Sequence, residues 1–484
     1  MPLYSVLSPI PTPCSRTSFI SIARSLVSLF VPFLIIQGVV VNAIGQSPSG
    51  ASAAFDQPNV AEKSDPNSGS ARYRDTQQGV SSSDLVRRAL SANGDLAAAR
   101  LNVDRARGRL RQAGLRPNPT LDFEQTSERV TGAGTDRATS IGVVVPIELG
   151  GKRGRRIDLA QVELEAAEVG VADRERRLSS DVGTLYAEAL AALRELETTE
   201  GINNIDLEIA RFIQIRVNEG DTSPLELNLI KVEVDRLRSR RALVEGRLQA
   251  TLIKLKSIAG MAPTEPLRLR EDLSTPTLSP PPATQEAAID IALRSRPDLK
   301  LARLQEEAAQ AGLQLANANA VPNATLFSRY VFDRTITDLP APLVPVPNFG
   351  KRVALGVSIG LPVFNRNQGA KAEAVAAISQ AKVQREFLEQ MVRAEVMSAY
   401  TRYQAALMAL GTFEQGVIAR SNDNVRVIRG AYEAGAFKIT DLLSEQRRLV
   451  DSQRELTDTL SEQYRALVDL RAALGVPVVE GPTP

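Results

Sequence analysis

The run KRVALGVSIGLPVF, Lys351 to Phe364, alternates with a period of two, which is the signature of an extended strand. Val353, Leu355, Val357, Ile359, Leu361 and Val363 fall on one side, and Ala354, Gly356, Ser358 and Gly360 on the other. No charged residue interrupts the stretch from Val353 to Val363, whereas a strand of a soluble sandwich would turn charges to water on its outer face. The stretch is as long as a tilted strand needs to cross a bilayer, about 9–11 residues. The oily side is therefore expected to face lipid.

The same plan is written twice along the chain. ALSANGDL (Ala89 to Leu96) answers ALRSRPDL (Ala292 to Leu299), and RPNPTL (Arg116 to Leu121) answers VPNATL (Val321 to Leu326). Gly220 matches Gly435 and Gly260 matches Gly475 at one constant offset. Such self-similarity marks a duplicated unit. The expected order in each copy is helix, strand pair, very long helix, glycine turn, helix. Proline is missing between Pro146 and Pro224 and again between Pro362 and Pro477, so uninterrupted helices are permitted there. In the second copy Val392, Val396, Ala399, Tyr403, Ala406, Leu410 and Phe413 step by four and three. Leu449, Leu456, Leu460, Leu467, Leu470 and Leu474 form a second ladder, with Gln453 and Gln463 between its rungs. That period predicts coiled-coil packing. A helix from about Gly369 to Ala434 would run on the order of 90–100 Å.

The first copy's strands are expected over Thr120 to Val130 and Ala138 to Ile147, joined by TGAGTDR, with Ile141, Val143, Val145 and Ile147 on the oily side. In the second copy Ala324 to Phe332 pairs with the opening run, the aromatics Phe327, Tyr330, Phe332, Phe349 and Phe364 cluster there, and Phe349 and Phe364, which bracket the last strand, are expected at bilayer interfaces. Four oily strands leave edges that lipid does not tolerate, and closed membrane barrels need about eight strands or more. Copies of the chain must complete the barrel, and three would give about twelve strands. The expected fold is mainly α with a small β part: a long coiled-coil helical barrel plus a transmembrane β-barrel completed by trimerisation. A coiled-coil scaffold with ordinary hairpins is the rival from another class.

Ahead of the repeats, the apolar run from Leu26 to Val41 follows a polar lead with Arg16 and Arg24 and precedes the small residues around Ala43. Residues 1–45 are expected to be a signal peptide, with an uncleaved membrane anchor as the alternative. Cys14 is the single cysteine and lies in that segment. Residues 46–82 are polar and aperiodic and read as a flexible tether. The first repeat spans 83–263, a Pro-rich linker 264–283, the second repeat 284–477 and a tail 478–484. The 484 residues carry 58 basic and 56 acidic side chains, net +2, so no global field draws the chain to nucleic acid. The count of histidine is 0, which removes the commonest general base and transition-metal ligand.

At this point the residues resemble the TolC-like outer-membrane channel family, and within it the CzcC-like branch of heavy-metal efflux systems. The resemblance covers the chain from about Ser83 to Pro477. It rests on the duplicated plan, on VPIELGGKRGRRIDLA (Val145 to Ala160), on EGDTSPLELNLIKVEVDRLRS (Glu219 to Ser239) and on YEAGAFKITDLLSEQRRLVDSQREL (Tyr432 to Leu456). It implies a homotrimer in the outer membrane with its helical tunnel in the periplasm, and as partners a periplasmic adaptor (membrane fusion) protein and an inner-membrane RND pump. No cofactor and no catalysis are implied, and divalent heavy-metal cations are the implied cargo, with drugs or proteins as the alternative.

GVSIG (Gly356 to Gly360) fits a nucleophile elbow by letter, but that motif needs a strand-to-helix turn and a histidine partner. Small residues on one strand face account for it. The basic run Lys152, Arg153, Arg155 and Arg156 is expected to solvate a loop or contact lipid phosphates rather than nucleic acid. The turns at Gly220 and Gly435 lie farthest from the barrel and are candidate adaptor contacts. Acidic residues follow at matching positions, Glu226 and Asp441, and three-fold repetition would make each a carboxylate ring at the entrance. By resemblance Asp441 holds the place of an entrance aspartate and Tyr432 that of a gating tyrosine. Ser444 and Phe437 stand where the family pattern has a second aspartate and an arginine.

Overall fold

The computed structural model describes residues 69–127, 136–275, 278, 280–337, 340 and 342–476. The expected signal peptide, most of the tether, the greater part of the TGAGTDR loop and the tail lie outside them. The elements are α1 (Ser82–Ala92), α2 (Gly94–Ala113), β1 (Thr120–Ser127), β2 (Arg137–Ile147), α3 (Lys152–Asn218), α4 (Pro224–Ile258), α5 (Gln285–Ser295), α6 (Pro297–Asn319), β3 (Ala324–Thr337), β4 (Val346–Ile359), α7 (Gln368–Thr412), α8 (Ile418–Glu433) and α9 (Ile439–Leu474).

The duplication extends to backbone conformation. The opening helix of each copy is in fact two helices, broken at Asn93 (φ −68°, ψ 124°) and Arg296 (φ −67°, ψ 124°). Asn93 caps α2 by accepting from the Leu96 N–H, while at the second break Pro297 takes the first helical position, where a missing N–H costs nothing. Gly260 and Gly475 end the two repeats with φ of 67° and 71°. A Cβ at Gly260 would stand 2.8 Å from the Ala92 oxygen, and one at Gly475 2.9 Å from the Arg296 Cα. Each glycine thus lets its repeat's last helix seat against the end of its first.

α3 is 67 residues long, on the order of 100 Å. Its counterpart is not continuous: between α7 and α8 the turns of Phe413–Val417 widen to π geometry around Gly416 (φ 153°). The expected helix from Gly369 to Ala434 is therefore interrupted without a proline, because glycine alone adopts that conformation freely. Of the first ladder Val392, Val396, Ala399 and Ala406 are buried, and of the second Leu449, Leu460, Leu467, Leu470 and Leu474. One core gathers α1, α3, α4 and α9, and a smaller one α5, α7 and α9. Among the described residues no helix is long and apolar enough to cross a membrane.

One expectation about a connecting segment is corrected. The tether does not extend to Ser82: residues from Gly69 are folded, with a 3-10 turn over Gly69–Tyr73 and Tyr73 buried. The Pro-rich linker joins the repeats as expected and is docked on the core through Leu267, Leu269 and Leu273. The two segments meet where Arg74 and Val80 bridge to Leu269, and Arg74 pairs with Glu197 at 2.9 Å and Asp272 at 2.6 Å. Isolated apolar residues in polar sequence leave no periodicity to read.

All four strands form one antiparallel sheet in the order β1-β2-β3-β4, so the hairpins of the two repeats are joined through β2 and β3. The register puts Phe123, Ile141, Tyr330 and Val353 in one row, Leu121, Val143, Ser328 and Leu355 in the next, then Val145, Leu326 and Val357, then Ile147, Ala324 and Ile359. That face is exposed throughout, apart from Ala324. The other face carries an Arg329–Glu124 ion pair at 3.3 Å, and Phe327, which lies over Gly356, where a Cβ would meet it at 2.4 Å. Phe332 and Phe349 stack at 6.2 Å at the far end of the oily face.

Leu361 and Val363 are corrected: β4 ends at Ile359, and both lie beyond it in irregular backbone. Pro362 has no N–H to donate, and Val363 N–H turns back to the Leu361 carbonyl at 2.9 Å. Ser358 pairs with Thr325 inside β4, with no strand-to-helix turn at the GVSIG run.

Candidate functional site

The helix ends farthest from the sheet hold the candidate site. Both turns close in the same way: Gly220 N–H donates to Val217 and Asp221 N–H to Arg216, while Gly435 N–H donates to Tyr432 and Ala436 N–H to Ala431. Gly220 (φ 83°) and Gly435 (φ 76°) supply the left-handed residue that this helix ending requires. α4 restarts with Ser223 accepting from the Leu225 N–H and Pro224 in its first turn. α9 restarts at Lys438, whose N–H donates to the Asp441 carboxylate at 3.1 Å.

Tyr432 and Glu226, from different repeats, are brought together. The Tyr432 hydroxyl donates to Glu226 Oε2 at 2.8 Å, and the ring is 4% exposed. It packs in a cluster of Ile209 and Ile213 from α3, Leu227 and Ile230 from α4, and Ile439, Leu442 and Leu443 from α9. Burial raises the Tyr432 hydroxyl above its ordinary value, and the bond to Glu226 and that residue's charge raise it further. The phenol therefore stays a donor throughout the physiological range.

Asp441 is half-buried and its carboxylate serves the start of α9, the role of a helix-start acid. Ser444 donates to the Asp441 carbonyl at 2.8 Å, and Phe437 is exposed. Neither supplies a charge to bind the repeats together. The structure uses Arg447 on α9 instead, which donates to Glu233 on α4 at 2.9 Å. A further link joins Asp206 on α3 to Gln446 on α9. Sequence reasoning passed over all four residues, although Asp206 between Ile202 and Ile209, and Gln446 between Leu442 and Leu449, are polar interruptions of apolar ladders. Among the described residues no cluster of acidic side chains could hold a metal ion.

At the opposite end the basic run is spent largely within the chain. Lys152 is buried and donates to Asn323 at 2.6 Å, Arg153 donates to the Gly114 carbonyl at 2.7 Å, and Arg156 pairs with Glu148. These bonds brace the exit of α3 from the sheet, where a solvated loop or lipid contact was expected.

The chain matches the model of the outer membrane efflux protein family over residues 85–261 and 288–476, one segment in each repeat. It is 25% identical to the cobalt-zinc-cadmium resistance protein CzcC of Cupriavidus metallidurans, over 80% of this chain and 88% of that protein. It is also 25% identical to the solvent efflux pump outer membrane protein SrpC of Pseudomonas putida, over 81% and 84%. Among solved structures, CusC superposes with a TM-score of 0.66 at 21% identity, covering 85% of this chain and 95% of that one. VceC of Vibrio cholerae superposes with a TM-score of 0.64 at 20% identity, covering 85% and 100%.

Proposed function

This chain belongs to the outer membrane efflux protein family, and from that premise we propose that it is a homotrimeric conduit carrying divalent heavy-metal cations out of the cell. As a family member it is an efflux channel of the outer membrane and not an enzyme. In the proposal it works with a periplasmic adaptor and an inner-membrane RND pump that supplies the energy. The observation that carries the channel reading is the sheet: an exposed apolar face, with β1 and β4 each lacking a neighbour on one side among the described residues. Backbone donors and acceptors on such edges cannot be left in lipid, so neighbouring chains must pair with them. The cation cargo is supported by the similarity to CzcC. A second reading, organic solvents, is favoured by the equal identity to SrpC.

Deleting the gene and challenging cells with cobalt, zinc and cadmium, and separately with toluene, separates these readings. Metal export predicts a several-fold drop in metal tolerance, restored by the gene, with toluene tolerance unchanged; the reverse pattern assigns organic cargo.

At the entrance the proposal gives Tyr432 and Glu226 the role of a tie that must part for opening, Gly220 and Gly435 the adaptor-facing turns, and Asp441 a place in a ring of carboxylates. A hydrogen bond to a charged group contributes about 1.5–3 kcal/mol. In single-channel recordings Tyr432→Phe is therefore expected to raise the open fraction, and Asp441→Asn to lower cation preference. A variant that records like the wild type removes that residue from the entrance.

A further inference from the structure

We propose that Asp206 is a proton-binding site in the joint between the two repeats, and that proton uptake there fastens α9 of the second repeat against α3 of the first. Leu196, Thr199, Ile202, Asp206, Ile209 and Ile213 are the successive buried positions along this part of α3, so the carboxylate occupies a core rung. It is 1% exposed, and the facing Gln446, 6% exposed, occupies a core rung of α9.

The hydrogen-bond count points to a proton. The Asp206 carboxylate faces the Gln446 side chain, and its Oδ1 has no partner. The Gln446 Oε1 and the Oδ1 of Asn203, one turn earlier on α3, are also buried acceptors without a donor. The unpaired buried groups of this joint are all acceptors. A proton on Asp206 removes the buried charge and supplies the missing donor.

Among the described residues no cation is placed to do the same work. The charged group facing Asp206 from α4 is Glu233, which repels it and holds Arg447 of α9 at 2.9 Å and Arg236 at 3.5 Å. α9 faces it with the neutral Gln446, and α3 itself offers the neutral Asn203. Burial pushes the Asp206 carboxyl up to about 7 from an ordinary 3.8, against the pull of the Gln446 bond and with help from Glu233.

In an opened joint the carboxylate is hydrated and returns toward 3.8. Between those two values the closed joint holds the extra proton. The closed form therefore gains about tenfold per unit of acidification in each chain, and the gain is lost as pH rises through 7. Asp206 lies 12 residues before the end of α3, about 18 Å from the turn. The proton site stands on packing alone; its effect on the entrance rests on the channel reading.

The test uses the full chain purified in detergent micelles. Infrared difference spectra from pH 5 to 8 are expected to show a protonated carboxyl band that titrates near neutrality and vanishes in Asp206→Asn. Hydrogen exchange over 203–213 and 439–450, corrected for intrinsic rates, is expected to slow about tenfold per unit of acidification below pH 7 in the wild type and to be pH-independent in Asp206→Asn. No band lost in the variant, a wild-type pH response in the variant, or the same protection from calcium at pH 8 overturns the proton site. A titrating band with conductance that ignores both pH and Asp206→Asn keeps the site and overturns its link to opening.

Discussion

Leu355→Arg is expected to abolish assembled protein in the outer membrane. Leu355 is 74% exposed, pairs with Ser328 across β3, and lies between Val353 and Val357 near the middle of the apolar rows. A guanidinium at mid-bilayer costs a barrel about 2–4 kcal/mol. With one copy in each of three chains the cost is about 6–12 kcal/mol per barrel, comparable to the whole stability of a folded domain. Ser358→Arg, on the opposite face of the same strand, is the control and is expected to be tolerated. Membrane fractions run unheated on gels read both results: an oligomer band for the wild type and Ser358→Arg, none for Leu355→Arg. Equal oligomer for both variants would place the oily face away from lipid.

Arg296→Met is expected to cost the second repeat about 3–5 kcal/mol per chain, the loss found when one partner of a buried ion pair is removed. The Arg296 side chain is 3% exposed. It donates to both Asp298 oxygens at 3.0 and 2.6 Å, to Glu395 at 2.6 Å and to the Ala473 carbonyl at 3.2 Å, tying α6, α7 and α9 at one joint. Methionine keeps much of the volume but leaves buried Asp298 with Arg176 at 3.7 Å. Burial works to raise the Asp298 carboxyl, yet its bonds to Arg296 outweigh this and hold it below the ordinary range. A depressed acid stabilises the fold above its unfolded value, and that contribution fades as pH falls through the carboxylate range. The deficit of Arg296→Met, measured as the rate of thermal loss of the oligomer in detergent, should therefore be full at pH 7 and shrink in acid. Adding Asp298→Asn should recover part of it. A variant as durable as the wild type at pH 7 would show that the network contributes nothing net.

Much of this architecture was legible because it is periodic or repeated. The alternation from Val353 to Ile359 dictates a strand with one oily face, since side chains on extended backbone must alternate. The 3.5-residue ladders of α7 and α9 dictate packed helices. The matched glycines at 220, 435, 260 and 475 mark turns that chirality reserves for a residue without Cβ. What escaped depends on single residues meeting across long separations: Leu361 and Val363 continue the pattern but are cut off by a proline turn, and Tyr73 and Leu269 bury themselves within polar sequence.

By itself, then, the sequence determined the two-fold plan, the strands with one oily face and the positions of the turns, because each follows from local geometry applied residue by residue. Only the tertiary structure decided that β2 pairs with β3, that Tyr432 reaches Glu226, and that Asp206 is shut away from water beside Gln446. The physical reason is that burial and partnership are properties of two surfaces in contact, and the partners here lie in different repeats, far apart along the chain. An aspartate on a helix reads the same in sequence whether it meets solvent or a core.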